Sequence, residues 1–138
     1  MRRRVVVALL ATTLGVLAGC DVVTGACVDD LSDEQPFEYR AGSTEEGIYR
    51  SSSWEPDAWV DFPPGASIRF EHELGTTPAM WQAYVATSRE GLGDRLVLAS
   101  GSEVELVAID DQAIVVRNAT CADFFVVLVA LGTAPPTP

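Results

Sequence analysis

Phe124-Phe125-Val126-Val127-Leu128-Val129-Ala130-Leu131 is an unbroken run of eight apolar residues near the end of a 138-residue chain. Eight residues is the length of a strand rather than of a core helix, five of them are β-branched or aromatic, and turn-formers lie on both sides. A strand running from Asp123 to Leu131 with no polar alternation must be covered on both faces. It is either the central strand of a sheet or one paired into an oligomer. The rest of the domain has to supply two covers for it.

Upstream, Ser67 to Leu74 alternates cleanly, with Ile68, Phe70, His72 and Leu74 on one face and Ser67, Arg69, Glu71 and Glu73 on the other. That is the pattern of a strand with one buried face. Shorter pieces of the same kind occur around Phe37 and Tyr39, at Ile48 and Tyr49, and from Ala58 to Phe62, where Pro63-Pro64-Gly65 stops the strand. Further pieces run over Met80 to Thr87, Arg95 to Ala99, Glu103 to Ile109 and Ala113 to Arg117. Within Glu103 to Ile109, Val104, Leu106 and Ala108 oppose Glu103, Glu105 and Val107. Asp110-Asp111-Gln112 predicts a tight reversal, and Gly42 to Gly47 a turn. No segment has a convincing helical period. The expectation is an all-β fold, a small antiparallel β-sandwich of about seven to nine strands over residues 36–133, with a Pro-rich tail at 134–138.

The first twenty residues have a different character. Arg2-Arg3-Arg4 precede an apolar core from Val5 to Leu17, 13 residues that fall short of the roughly 20 needed to cross a bilayer. The core closes on Leu17-Ala18-Gly19-Cys20, which resembles the lipobox of bacterial lipoproteins. The resemblance implies a signal peptide cleaved after residue 19, acylation of Cys20, and a chain held in the cell envelope by membrane lipid through two or three acyl chains. Residues 20–35 then read as the lipidated N-terminus and an acidic tether. Its Asp29, Asp30, Asp33 and Glu34 lack the alternation and central glycine of a calcium loop, so no metal is expected there.

Loss of the leader removes three of the nine arginines and no acid, leaving six basic residues against 20 acidic ones, a formal charge of −14 over 119 residues. Such a surface repels nucleic acid and anionic headgroups and suits cations, basic surfaces or neutral ligands. With Cys20 committed to lipid, Cys27 and Cys121 remain. In an exported chain they predict a disulfide, and closing a loop of about 100 residues is worth about 4.7 kcal/mol in the chain-entropy model. The alternatives are two free thiols or a metal pair, and two sulfurs with His72 alone make a poor zinc site.

Chemistry-bearing motifs are scarce. There is no Gly-x-Ser-x-Gly elbow, phosphate loop, Cys-x-x-Cys or His-Glu-x-x-His, and no cofactor is implied. Trp54, Trp59, Trp81 and Tyr84, with Tyr49, form the pool of candidate ligand contacts, and one of Trp81 and Tyr84 must face the core because they lie on opposite faces of one strand. Ser88 to Asp94 is the candidate binding loop. Asn118-Ala119-Thr120 matches a glycosylation sequon. From Leu74-Gly75 and Pro78 through Ile114-Val115-Val116-Arg117-Asn118-Ala119-Thr120 to Phe124-Phe125-Val126, the order of features resembles the sandwich domains of H-type lectins and phage tail-fibre tips. Those domains trimerise and bind sugars at subunit edges; the resemblance implies the fold and a homotrimer as the oligomer to test, and carries over no sugar-binding residue. The function expected is therefore a non-enzymatic, membrane-anchored binding module for an envelope protein or a carbohydrate. The alternative is a hydrolase built around His72.

Overall fold

The structure is a computed structural model, and it describes residues 35–55, 57–90, 97–99, 101 and 103–133. Ten strands and no helix occur among these residues: β1 Phe37–Tyr39, β2 Ser43–Glu45, β3 Ile48–Arg50, β4 Val60–Phe62, β5 Ser67–Glu71, β6 Met80–Ala86, β7 Val97–Leu98, β8 Val104–Ile109, β9 Ala113–Asn118 and β10 Phe124–Leu131. They form a four-stranded sheet in the order β1-β5-β9-β8 and a six-stranded sheet in the order β2-β3-β10-β6-β7, to which β4 is added by pairing with β10. All pairings are antiparallel except β1 with β5. The all-β sandwich expected from the sequence is the observed fold.

β10 is central, as its composition requires. Along one edge it pairs with β6 over its whole useful length, from Phe125↔Ala86 to Leu131↔Met80. The other edge is shared: Phe124 to Val126 pair with β4, and Val129 to Leu131 pair with β3. Ser51 fills the gap between them. Its N–H donates to the Leu128 carbonyl at 2.9 Å and its Oγ accepts from the Leu128 N–H at 2.9 Å, so the β10 backbone stays satisfied where the partner strand changes.

The main core lies between the sheets. Ile68 and Phe70 of β5 and Ile114 and Val116 of β9 meet Val126, Leu128 and Ala130 of β10, Val85 of β6, Phe62 of β4 and Tyr49 of β3, and all of them are buried. The second cover over β10 is local. After Ser51 the chain leaves the sheet, crosses its outer face and returns as β4, laying Trp54 and Trp59 over Val127, Val129 and Phe125 of β10 and Tyr84 and Ala86 of β6. A continuous apolar strand results because each face of β10 meets a different apolar layer.

Three details depart from the sequence expectation. The Gly42 to Gly47 segment is not all turn. Ser43–Glu45 forms β2 and joins β3 through Glu46 and Gly47, both at positive φ (51° and 77°), the signature of a two-residue primed hairpin. This makes ten strands rather than seven to nine. The strand starting at Ser67 ends at Glu71, so His72 and Leu74 lie beyond it. In β8 the register shifts between Leu106 and Ala108, leaving Val107 as an extra residue opposite β9. This bulge breaks the expected inward row, and Leu106 and Val107 are exposed.

Candidate functional site

The four predicted contact residues do not form one exposed platform. Trp54, Trp59 and Tyr84 meet as an edge-to-face cluster, with Trp54 5.8 Å from Trp59 and 5.0 Å from Tyr84 between ring centroids. Trp59 is only 3% exposed and is part of the roof over β10. Trp81, on the opposite face of β6 from Tyr84, packs against the main core. Rings engaged edge to face spend their faces on one another, which leaves little flat area for a sugar ring.

His72 is fully buried, and both ring nitrogens are used by backbone. Nδ1 accepts from the Leu74 N–H at 3.2 Å, which makes Nε2 the protonated nitrogen, and Nε2 donates to the Asp110 carbonyl at 3.2 Å. The Tyr49 ring lies edge-on to the imidazole, with centroids 6.2 Å apart. An imidazole whose lone pair and N–H are both committed to main chain ties the β8–β9 turn to the end of β5 and has no free nitrogen for proton transfer.

Asn118 is likewise structural. Its Nδ2 donates to the carbonyls of Phe62 and Ala122 at 2.9 Å each, while its Oδ1 accepts from Thr120 N–H at 3.0 Å and Thr120 Oγ1 at 2.8 Å. The sequon is thus a buried Asx turn joining the two sheets beside Cys121. Cys121 is exposed in the turn before β10, and Cys20 and Cys27 lie outside the described residues. So does most of the predicted binding loop, from Gly91 to Asp94.

One concavity was not singled out by the sequence. It is an apolar groove of about 530 Å³ lined by Phe37, Tyr39, Trp59, Val60, Pro63 and Ile68, with Asp61 at its rim. Such a volume is within the range of ligand pockets. It opens between β1 and β4, where the two sheets part. Among the described residues β1 pairs only with β5 and β4 only with β10, so each of the two strands bordering the groove has one edge without a strand partner. Phe37 is 63% exposed there. The indole N–H of Trp59 is buried with no hydrogen-bond partner. The rim is fixed by Arg89, whose Nη2 donates to both Asp61 oxygens at 2.6 and 2.7 Å while its guanidinium stands 5.4 Å from the Phe125 ring centre. The signal that could have located this groove is the pairing of a proline stop at Pro63-Pro64 with an aromatic on a short edge strand, but only topology brings β1 and β4 together.

At the other end of the β1–β5 pair lies a smaller polar recess of about 230 Å³, walled by Arg40, Gly42, Thr44, Tyr49, Glu71 and Glu73. Burial pushes the Tyr49 phenol far above its ordinary value, with Tyr39 and the Glu71 carboxylate adding to the shift. Thr44 Oγ1 donates to the His72 carbonyl on its floor.

No family model, curated protein or solved structure matches this chain.

Proposed function

We propose that the protein is a lipid-anchored, non-enzymatic interaction module of the bacterial cell envelope, held to membrane lipid by acylated Cys20, and that it receives an extended segment of another envelope protein in the groove between β1 and β4. The observation carrying this reading is the conjunction at one mouth of two unpaired strand edges and an apolar trough. An added strand satisfies its backbone on an edge and drops alternate apolar side chains between the sheets. The acidic surface favours basic residues at the positions that remain in water. A protein partner is favoured over a glycan at this site because Trp54, Trp59 and Tyr84 spend their faces on one another and on β10. The committed nitrogens of His72 weigh against the hydrolase alternative.

A Cys27–Cys121 bridge belongs to the same reading. The turn that carries Cys121 adjoins the Pro63 end of the groove through the Asn118 bonds, so the bridge would secure the tether next to the mouth.

The test is a peptide-library selection against the mature, oxidised chain. Selected sequences are expected to alternate apolar with basic residues and to lose binding in Phe37→Asp while keeping it in Leu106→Asp. Selection of sequences without alternation, or equal loss in both variants, would overturn the proposal. Replacing Cys20 with Ala tests the anchor separately, since the protein should then leave the membrane fraction.

A further inference from the structure

We infer that the recess beneath Gly42 is a binding site for a small neutral polyhydroxyl ligand, a single sugar residue or a polyol of that size. The inference does not depend on the groove, which lies at the opposite end of β1 and β5.

The starting point is the hydroxyl of Tyr49. Tyr49 is 1% exposed, and its hydroxyl is buried with no hydrogen-bond partner. A tyrosine buried for its ring alone would be better replaced by phenylalanine, because an unmet hydroxyl costs about 1–3 kcal/mol. Tyr49 and Gly42 both line the recess, and the hydroxyl end of the ring packs against Gly42. A Cβ on Gly42 would stand 2.5 Å from the Tyr49 hydroxyl and 2.5 Å from its Cε2, so only glycine leaves the phenol its place. Gly42, just before β2, and Tyr49 of β3 line the same recess.

The chemistry of the remaining wall selects the ligand. Glu71 and Glu73 supply carboxylate acceptors, and Arg40 supplies guanidinium donors, with Arg40 Nη2 3.0 Å from Glu71 Oε1. Glu73 is held on the recess with a φ of 49°, a conformation uncommon for a residue with a side chain. A simple anion would face two carboxylates. A simple cation would face Arg40, and no group of three or more metal-ligating side chains occurs among the described residues. A zwitterion would have to separate Arg40 from Glu71 to use both charges. Neighbouring hydroxyl groups need no such separation: each can donate to a carboxylate oxygen and accept from Arg40 or Tyr49 while the ion pair stays in place. A volume of about 230 Å³ suits one small ring and is below the range for larger ligands.

The test is amide-shift mapping by NMR on the full mature chain titrated separately with neutral monosaccharides and glycerol, with methylamine, and with inorganic phosphate. The expected result is saturable shifts from at least one neutral sugar or polyol, confined to Gly42, Thr44, Tyr49 and Glu73. Tyr49→Phe should weaken that binding about five- to tenfold while leaving thermal stability unchanged or higher, because the hydroxyl it removes has no partner in the free protein. Glu73→Gln should weaken it without altering the fold. Gly42→Ala should abolish it, and since that variant also crowds Tyr49, the two milder variants decide. Shifts only with methylamine or phosphate, shifts elsewhere on the surface, no response to any polyhydroxyl probe, or unaltered binding in Tyr49→Phe would each overturn the inference.

Discussion

The two outer faces of this sandwich are built on opposite principles. Over the six-stranded sheet, Trp54 and Trp59 roof the apolar side chains of β10 and β6, so this face is a second small core. Over the four-stranded sheet the outward residues include paired charges: Arg117 reaches Glu105 at 2.5 Å and Arg69 stands 3.7 Å from Glu38. Next to them the bulge in β8 leaves Leu106 and Val107 in water. One face is held by burial and the other by its solubility. The difference teaches that an unbroken apolar strand in a small sandwich needs its own roof, and here a nine-residue excursion between β3 and β4 supplies it.

The largest test of that contrast is Trp59→Ala. Removing a buried indole from the roof should cost about 3–5 kcal/mol, whereas Leu106→Ala on the open face should cost less than about 0.5 kcal/mol, both read from urea unfolding. Similar losses at the two sites would end the distinction. Asn118→Ala comes next. It strands the carbonyls of Phe62 and Ala122 and the Thr120 donors, and should cost about 1–3 kcal/mol in the same assay. Arg89→Ala cuts the Asp61 clamp and the contact with Phe125 at the roof's margin. Because both charged partners are substantially exposed, about 1 kcal/mol is expected, diminishing in high salt.

Much of this architecture was legible in the sequence. The run from Phe124 to Leu131 announced a strand covered on both sides, and the alternation from Ser67 set the inward row of β5. The Asp110-Asp111-Gln112 reversal was legible too, because an aspartate able to accept from backbone N–H groups two and three residues on is a local signal. What was not legible depends on partners distant in the chain. β2 has no apolar pattern and exists because Glu46-Gly47 closes a hairpin onto β3. The bulge at Val107 is defined only against β9. Trp59 looks like any aromatic beside a strand until the excursion folds back over β10. The groove and the Tyr49 recess arise where strands far apart in sequence end beside each other, and composition carries no trace of that.

The smallest effect concerns pH. The Asp110 carboxylate accepts from Ala113 N–H at 2.7 Å and from Gln112 N–H at 2.8 Å, and these bonds hold it below the usual carboxylate range. Its folded form therefore binds a proton less readily than the unfolded chain does. The stabilisation is complete above the ordinary aspartate range and is lost as pH falls through the lowered value. Asp110→Asn should flatten that part of the acid limb in urea unfolding measured against pH and leave the neutral plateau shape unchanged. An unaltered limb would show that the turn's bonds do not depend on the charge.

The most direct test of the central claim is site-specific photocrosslinking in cells, with the crosslinker placed in turn at Phe37, at Pro63 and at Leu106 of the full-length chain. The account predicts one common adduct from Phe37 and Pro63, at opposite sides of the groove, and none from Leu106 on the open face. Adducts from Leu106 equal to those from Phe37, or none from either groove position in a folded, membrane-held protein, would contradict it.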